Sequence, residues 1–430
     1  MARDGSTSLE HALNTRHQAG SPAPADPEEE RSDIETLSFL VARFAAREIA
    51  PHAREWDDAG EFPRALYQRA AQLGLLGLGY PEDLGGTPAS QRMRNALAYS
   101  LARHGGSGGV FASLLSHNIA LPPVVRHGST ELQLEIVPPV LRGEKIAALA
   151  ITEPGGGSDV AALRTTARRD GDHYVVDGEK IFITSGMRAD VITVAVRTGD
   201  AGACLDDLGD MPGSQQQARG ARGISLLVVP GDSKGLSRTP LQKMGWHCSD
   251  TAQLRFDGVR VPARYLIGEA GGGFKMIMGN FNGERLAMSV AALGFAQACY
   301  DEALDWARQR KTFGQPLVEH QVIRHKLVDM PMRIHSTQAW VDSLSAQSDA
   351  GVERVGGDAR AQWVAQICML KNHATQTLQF CADQAVQILG GMGYMRGTRS
   401  ERIYREVKIM MIGGGAEEVM KELAARQMGL

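Results

Sequence analysis

No Cys-x-x-Cys pair occurs, and the five cysteines are odd in number and widely spread. That excludes a disulfide framework and reads as free thiols in a reducing compartment. Long apolar runs are also missing. None reaches about 18 residues, so no membrane-spanning segment is expected. Charge of one sign is not in excess: 46 basic and 49 acidic side chains give a formal −3, which argues against nucleic acid as the main partner. The twelve histidines show no His-Glu-x-x-His and no clustered ligand spacing, so no metal is expected. No Gly-x-Gly-x-x-Gly opens a helix after a strand, which leaves a Rossmann site unsupported. The first thirty residues lack an apolar signal core and carry acids that a mitochondrial presequence avoids. They read as a disordered tail, residues 1–30, ahead of a cytoplasmic enzyme.

What is present divides into three. A chain of 430 residues exceeds one ordinary core. Ser32-x-x-Glu35 has the form of a capping box, and Ile34, Leu37, Val41 and Phe44 follow on one face up to Pro51. Helical text continues through 64–73, 92–103 and 111–119, and Thr130-x-x-Gln133 offers another cap. The Tyr80-to-Gly86 segment reads as a loop. Residues 31–147 are expected to be an N-terminal helical domain. After Ala150 the period becomes two. Asp177-Gly178 stands between Tyr174–Val176 and Lys180–Thr184 as a hairpin signal. Short β-branched runs recur at 191–196, 224–229 and 252–256. Residues 148–265 read as a central, mostly antiparallel β domain, with 198–223 a mobile surface insertion. From 266 to 430 helices return. The expected class is multidomain α+β.

The longest periodic run is Asn282 to Gly314. Leu286, Val290, Leu293, Tyr300 and Leu304 share a face that Gln297 interrupts, and Gly314 with Pro316 stops it. Glu284 and Arg310 are 26 residues apart, roughly 39 Å on a straight helix. That is longer than one active site reaches, so the spacing predicts that one end serves a neighbouring subunit. Elsewhere, Thr152-Glu153-Pro154-Gly155-Gly156-Gly157-Ser158-Asp159 leaves the first strand. Its bare glycines let backbone N–H groups approach an anion, and fit an ordinary turn equally well.

That run, then Glu179-Lys-Ile-Phe-Ile-Thr-Ser-Gly186, then Arg310 to Gln321 and Gln387 to Tyr394, resembles the acyl-CoA dehydrogenase family over residues 31–430. The resemblance implies FAD and oxidation of an acyl-CoA to its trans-2-enoyl-CoA. It also implies a three-domain fold with a C-terminal four-helix bundle, a homotetramer, and electrons passed to an electron-transfer flavoprotein. It places flavin against Leu149, Ile151, Thr152 and Ser158 and against Phe182, Ile183 and Thr184. Arg310, Thr312, His320 and Gln321 would reach a neighbour's FAD. Gln387, Gly390 and Gly391 would cradle its adenosine diphosphate, with Ala416 and Glu418 also on the cofactor.

Many members of the family carry the catalytic Glu in a loop after the last long helix. Here that position is Gly414, which cannot take a proton. A minority pattern, similar to long-chain and isovaleryl-CoA dehydrogenases, puts the carboxylate where this chain has Glu284. The resemblance therefore implies Glu284 as base, with a raised pKa, and Glu417 and Glu418 as rival carboxylates. It implies Ser158, Asn282, Arg285, Gly414 and Gly415 at the substrate, the Gly414 N–H donating to the thioester carbonyl. Medium-, long-chain or branched acyl groups are expected. An oxidase using O₂ and a flavin-holding nucleic-acid binder are the alternatives.

Overall fold

The computed structural model describes residues 27–198 and 221–430; of the expected tail, residues 1–30, the last four are helical and the rest lie outside the described residues, as do residues 199–220 of the expected insertion over 198–223. The chain opens with helices α1 (Pro27–Phe44), α2 (Ala53–Ala59), α3 (Ala65–Gln72), α4 (Gln91–Gly105), α5 (Gly108–Leu114), α6 (His117–Ala120), α7 (Pro122–His127) and α8 (Thr130–Leu141). α1 starts at Pro27, so Ser32 lies within it and caps nothing. Glu28, Glu29 and Glu30 fill its first turn, where negative charge meets the positive end of the helix dipole. Ser90 and Ser129 do cap helices, their hydroxyls accepting from Met93 N and Leu132 N, each at 3.2 Å. Ser129 thus does the work expected of Thr130. Gly105-Gly106-Ser107-Gly108-Gly109 has the Gly-x-Ser-x-Gly spelling of a nucleophile elbow. In the fold Ser107 is a buried cap of α5, and its hydroxyl faces the Cys248 thiol at 3.6 Å.

The strands are β1 (Ala147–Ala150), β2 (Thr166–Asp170), β3 (His173–Thr184), β4 (Val191–Arg197), β5 (Ile224–Pro230), β6 (Leu236–Pro240), β7 (Thr251–Pro262) and β8 (Leu266–Ile267). They form one sheet in the order β6-β7-β3-β2-β4-β5-β8, with β1 beside β4. Pairing is antiparallel except where β1 and β2 meet β4. Asp177-Gly178 does not turn the chain, as the hairpin reading required. β3 runs through it with a register shift between Val176 and Gly178. Gly178 packs so closely that a Cβ there would sit 2.7 Å from Thr165 Cα. The Asp177 carboxylate accepts from Gly258 N at 2.7 Å, pinning the bulge to β7. The reversal into β3 comes earlier, at Gly171 (φ 60°).

The rest is helical: α9 (Gly273–Gln309), α10 (Gln321–Asp349), α11 (Asp358–Leu389), α12 (Arg399–Ile412) and α13 (Glu417–Met428). α9 through α12 pack as a bundle, α4 lies against α9, and α13 lies on α11. Small residues let α9 into this crowd: a Cβ on Gly294 would meet Tyr99 O of α4 at 2.6 Å. Leu286, Val290 and Leu293 are buried as their spacing predicts; Tyr300 and Leu304 are partly so. α9 begins nine residues before the expected start and ends at Gln309, ahead of Gly314. Arg310 turns extended, and Phe313 (φ 51°) and Gly314 (φ 83°) reverse the chain so that β9 (Lys311–Thr312) pairs with β10 (Gln315–Pro316).

Candidate active site

α9 brings Glu284 and Arg285 against the loop between α12 and α13, with Asn282 beside Arg285 on the same helix. A Cβ on Gly414 would lie 3.9 Å from Glu284 Oε1 and 3.2 Å from Met288 Cε, so any side chain there would enter the space before the carboxylate. Glu284 keeps partial exposure overall, but its Oε2 is sealed from solvent and has no hydrogen-bond partner. Desolvation pushes its pKa up to about 7, against the pull of Arg285 and Lys371. Arg285 is buried, its guanidinium over the Phe281 ring. Its Nε donates to Gly414 O at 3.0 Å and its Nη1 to Asn282 Oδ1 at 3.1 Å.

The loop has a second support that the sequence reading missed. Lys371 of α11 is wholly buried, and its Nζ donates to Met411 O at 2.9 Å and to Gly415 O at 2.7 Å. Burial lowers its pKa to about 8. Its one sequence signal was a lysine on the stripe of Ile367, Leu370 and Ala374. Gly414 (φ 66°) and Gly415 (φ 113°) are left-handed or nearly so, and their N–H groups meet no acceptor among the described residues. Ala416 precedes α13 as its N-cap. Of the rival carboxylates, Glu418 is exposed, while Glu417 is partly buried with Oε1 sealed and unpartnered.

A second group of residues gathers in the β domain. Leu149 and Thr152 are partly buried, Ile151 is buried and Ser158 is exposed. Glu153 ties their loop down. Its carboxylate accepts from Arg164 N at 2.6 Å, Thr165 N at 2.9 Å and Lys180 Nζ at 2.8 Å. Lys180 is fully buried and also donates to Ile151 O at 3.0 Å. Burial alone would raise Glu153; Lys180 and Thr165 hold it below the usual range. Beyond Lys180 the register of β3 shifts again before Ile183, and this throws Phe182 outward at φ 62° and 67% exposed. Ile183 is buried and Thr184 partly so. A bulky residue with positive φ is strained, and an exposed aromatic gains nothing within the chain to offset that.

The third group lies at the far end of α9. Arg310 and Gln321 are exposed, and His320 Nε2 lies 3.2 Å from Thr312 Oγ1. Gln387, Gly390 and Gly391 are exposed where α11 stops, Gly390 at φ 61°. Because α9 is unbroken, Glu284 stands roughly 39 Å from Arg310. No group of three or more His, Cys, Asp or Glu among the described residues could hold a metal ion.

The chain thus has a helical domain, a β domain and a helical bundle that carries a sealed carboxylate, and comparison with known proteins gives the arrangement a family. Residues 32–144, 148–259 and 271–429 match the N-terminal, middle and C-terminal domain models of acyl-CoA dehydrogenase. A structure of a probable acyl CoA dehydrogenase from Mycobacterium abscessus is 43% identical, covers 94% of this chain and 100% of its own, and superposes with TM-score 0.84. Isobutyryl-CoA dehydrogenase of Dictyostelium discoideum is 33% identical over 92% of this chain and 89% of its own. Long-chain specific acyl-CoA dehydrogenase of Rattus norvegicus is 33% identical over 92% and 86%. The chain belongs to the acyl-CoA dehydrogenase family. It is an FAD-dependent oxidoreductase acting on the CH–CH group of an acyl-CoA. The residues fit that cofactor. A Cβ on Gly155 or Gly391 would meet nothing within 4 Å and neither has a positive φ, so the chain itself does not call for glycine there, whereas close approach of a ligand would; Gly390 is accounted for by its φ of 61°.

Proposed function

We propose that Glu284 is the base that removes the α-proton of a bound acyl-CoA, and that the product is the trans-2-enoyl-CoA of a medium-chain, long-chain or branched acyl group. The observation that carries this is the meeting of Glu284 with a loop that has no side chain at Gly414. The α C–H of a thioester is a weak acid, so the base must be short of water and the enolate must be stabilised. Burial of Glu284 supports the first requirement. The free N–H of Gly414 supports the second, as donor to the thioester oxygen. Asn282 and Arg285 would line the path of the pantetheine arm, with Ser158 and Gly415 also against substrate.

Bound FAD would supply the acceptor for the β-hydride, which no side chain here can be. Leu149, Ile151, Thr152 and Ser158, with Phe182, Ile183 and Thr184, would hold its ring end. Arg310, Thr312, His320, Gln321, Gln387, Gly390, Gly391, Ala416 and Glu418 would hold its phosphates and adenosine. The length of α9 favours supplying Arg310 and its neighbours to another copy's cofactor. Exposed Phe313, Val322, Val328 and Met332 favour an apolar face between copies, in keeping with a homotetramer. Electrons would leave to an electron-transfer flavoprotein.

A panel of straight and branched acyl-CoAs, read anaerobically by flavin bleaching, tests the substrate class. Bleaching by none of the medium, long or branched members would overturn it. Air and an electron-transfer flavoprotein are then compared as reoxidants. Rapid reoxidation by air alone would replace the electron-transfer partner with O₂.

A further inference from the structure

We infer that Lys371 is a positioning residue for proton transfer: from α11 it clamps the loop facing Glu284 and supplies a positive charge that keeps this carboxylate usable as a base. The inference rests on Glu284 being the base.

The carbonyls of Met411, Gly414 and Gly415 are each held by a buried cation, Lys371 taking the first and third and Arg285 the second. The peptide pinned at the Gly414 carbonyl carries the Gly415 N–H, and the one pinned at the Gly415 carbonyl carries the Ala416 N–H. The Gly414 N–H belongs to the peptide before these, so the clamp sets it by fixing the chain on both sides, at Met411 and at Gly414 and Gly415, and it meets no acceptor among the described residues. Successive glycines make a soft loop, so the clamp chooses one geometry among many. The clamp alone does not call for a charge. Methionine would fill much the same volume without desolvating an ammonium, and two neutral carbonyls are poor compensation for that cost.

The neighbours explain the charge. Glu284 on α9 and Glu417 at the start of α13 both act on Lys371, as do Arg285 and the Cys368 thiol one turn back on α11. Against Glu284 itself stand Arg285 from its own helix, Lys371 from α11, and the uncharged Met288 and Gly414. With Lys371 removed, two carboxylates would be left with one guanidinium. In the step concerned, the Cα–H bond breaks and the proton joins a Glu284 oxygen. The electron pair stays on the thioester as an enolate, which accepts from the loop N–H.

The test uses FAD-loaded enzyme and a 3-thia acyl-CoA, in which sulfur replaces Cβ so that no hydride can leave. Deuterium entry at Cα from D₂O is followed by mass spectrometry against pH, with flavin content and Tm as controls. Lys371→Met is expected to slow exchange about tenfold or more near pH 7 and to move the acidic limb alkaline by about one unit. Lys371→Arg keeps the charge and restores the limb. Lys371→Gln keeps a donor without charge; it shares the alkaline limb, and stands in if the methionine variant does not fold. An unmoved limb and a parental rate in the uncharged variants overturn the inference and leave Glu284 standing. Exchange at the parental rate in Glu284→Gln overturns both.

Discussion

Glu284 is a carboxyl whose folded environment opposes its charge. Unfolded, it loses its proton near 4.5; folded, near 7. Between those values the folded chain holds a proton that the unfolded chain has lost, so this group's contribution to stability falls as pH rises through about 7. Glu284→Gln should therefore raise Tm at alkaline pH, with the gain vanishing below about pH 4.5. The same variant should slow substrate-driven flavin bleaching by about 10²–10⁴-fold. Adding Gly414→Glu to it should restore part of that loss, because the new carboxyl starts beside the old one. The left-handed backbone at 414 will cost that double variant about 1–2 kcal/mol in urea unfolding. No recovery of bleaching would mean that the loop does not face the substrate. Glu284 and Gly414 stood out in the sequence only through the family resemblance, one having a carboxylate where the other lacks it, and the structure brings the two together. Lys371 could not: its partners lie 40 and 44 positions downstream, and locally it only interrupts an apolar stripe.

Among the elements, β3 shows what local text conveys and what it leaves out. Its apolar runs were legible as strand. Asp177-Gly178 was misread because the same dipeptide suits a tight turn and a bulge, and only the facing Gly258 on β7 decides between them. The end of α9 was displaced for a similar reason. Gly314 does have positive φ, but as half of a hairpin whose partner is Phe313, a residue that sequence rules do not place there. The tie between Glu153 and Lys180 is 27 positions long and left no local trace. Lys180→Met should strand a buried Glu153 carboxylate and cost about 3–5 kcal/mol in urea unfolding. The loop from Thr152 to Ser158 should then loosen, and purified protein should carry less FAD than the parent. Full flavin content in a destabilised variant would separate the tie from cofactor binding.

For the whole molecule, the order helical, β, helical was legible because the hydrophobic period changes twice along the chain. The way α9 threads the bundle was not, since its apolar residues run almost all round. Phe313 projects from the far end of this rod 97% exposed. Phe313→Ser should leave monomer folding intact by circular dichroism while shifting sedimentation toward smaller species and lowering retained FAD. An unchanged sedimentation profile would remove Phe313 from the contact between copies. If the proposed roles of the two ends of this rod hold, dilution should act as an inhibitor. As protein concentration falls, each copy would lose the hand its neighbour lends to its flavin, so turnover per chain would fade before any chain unfolds.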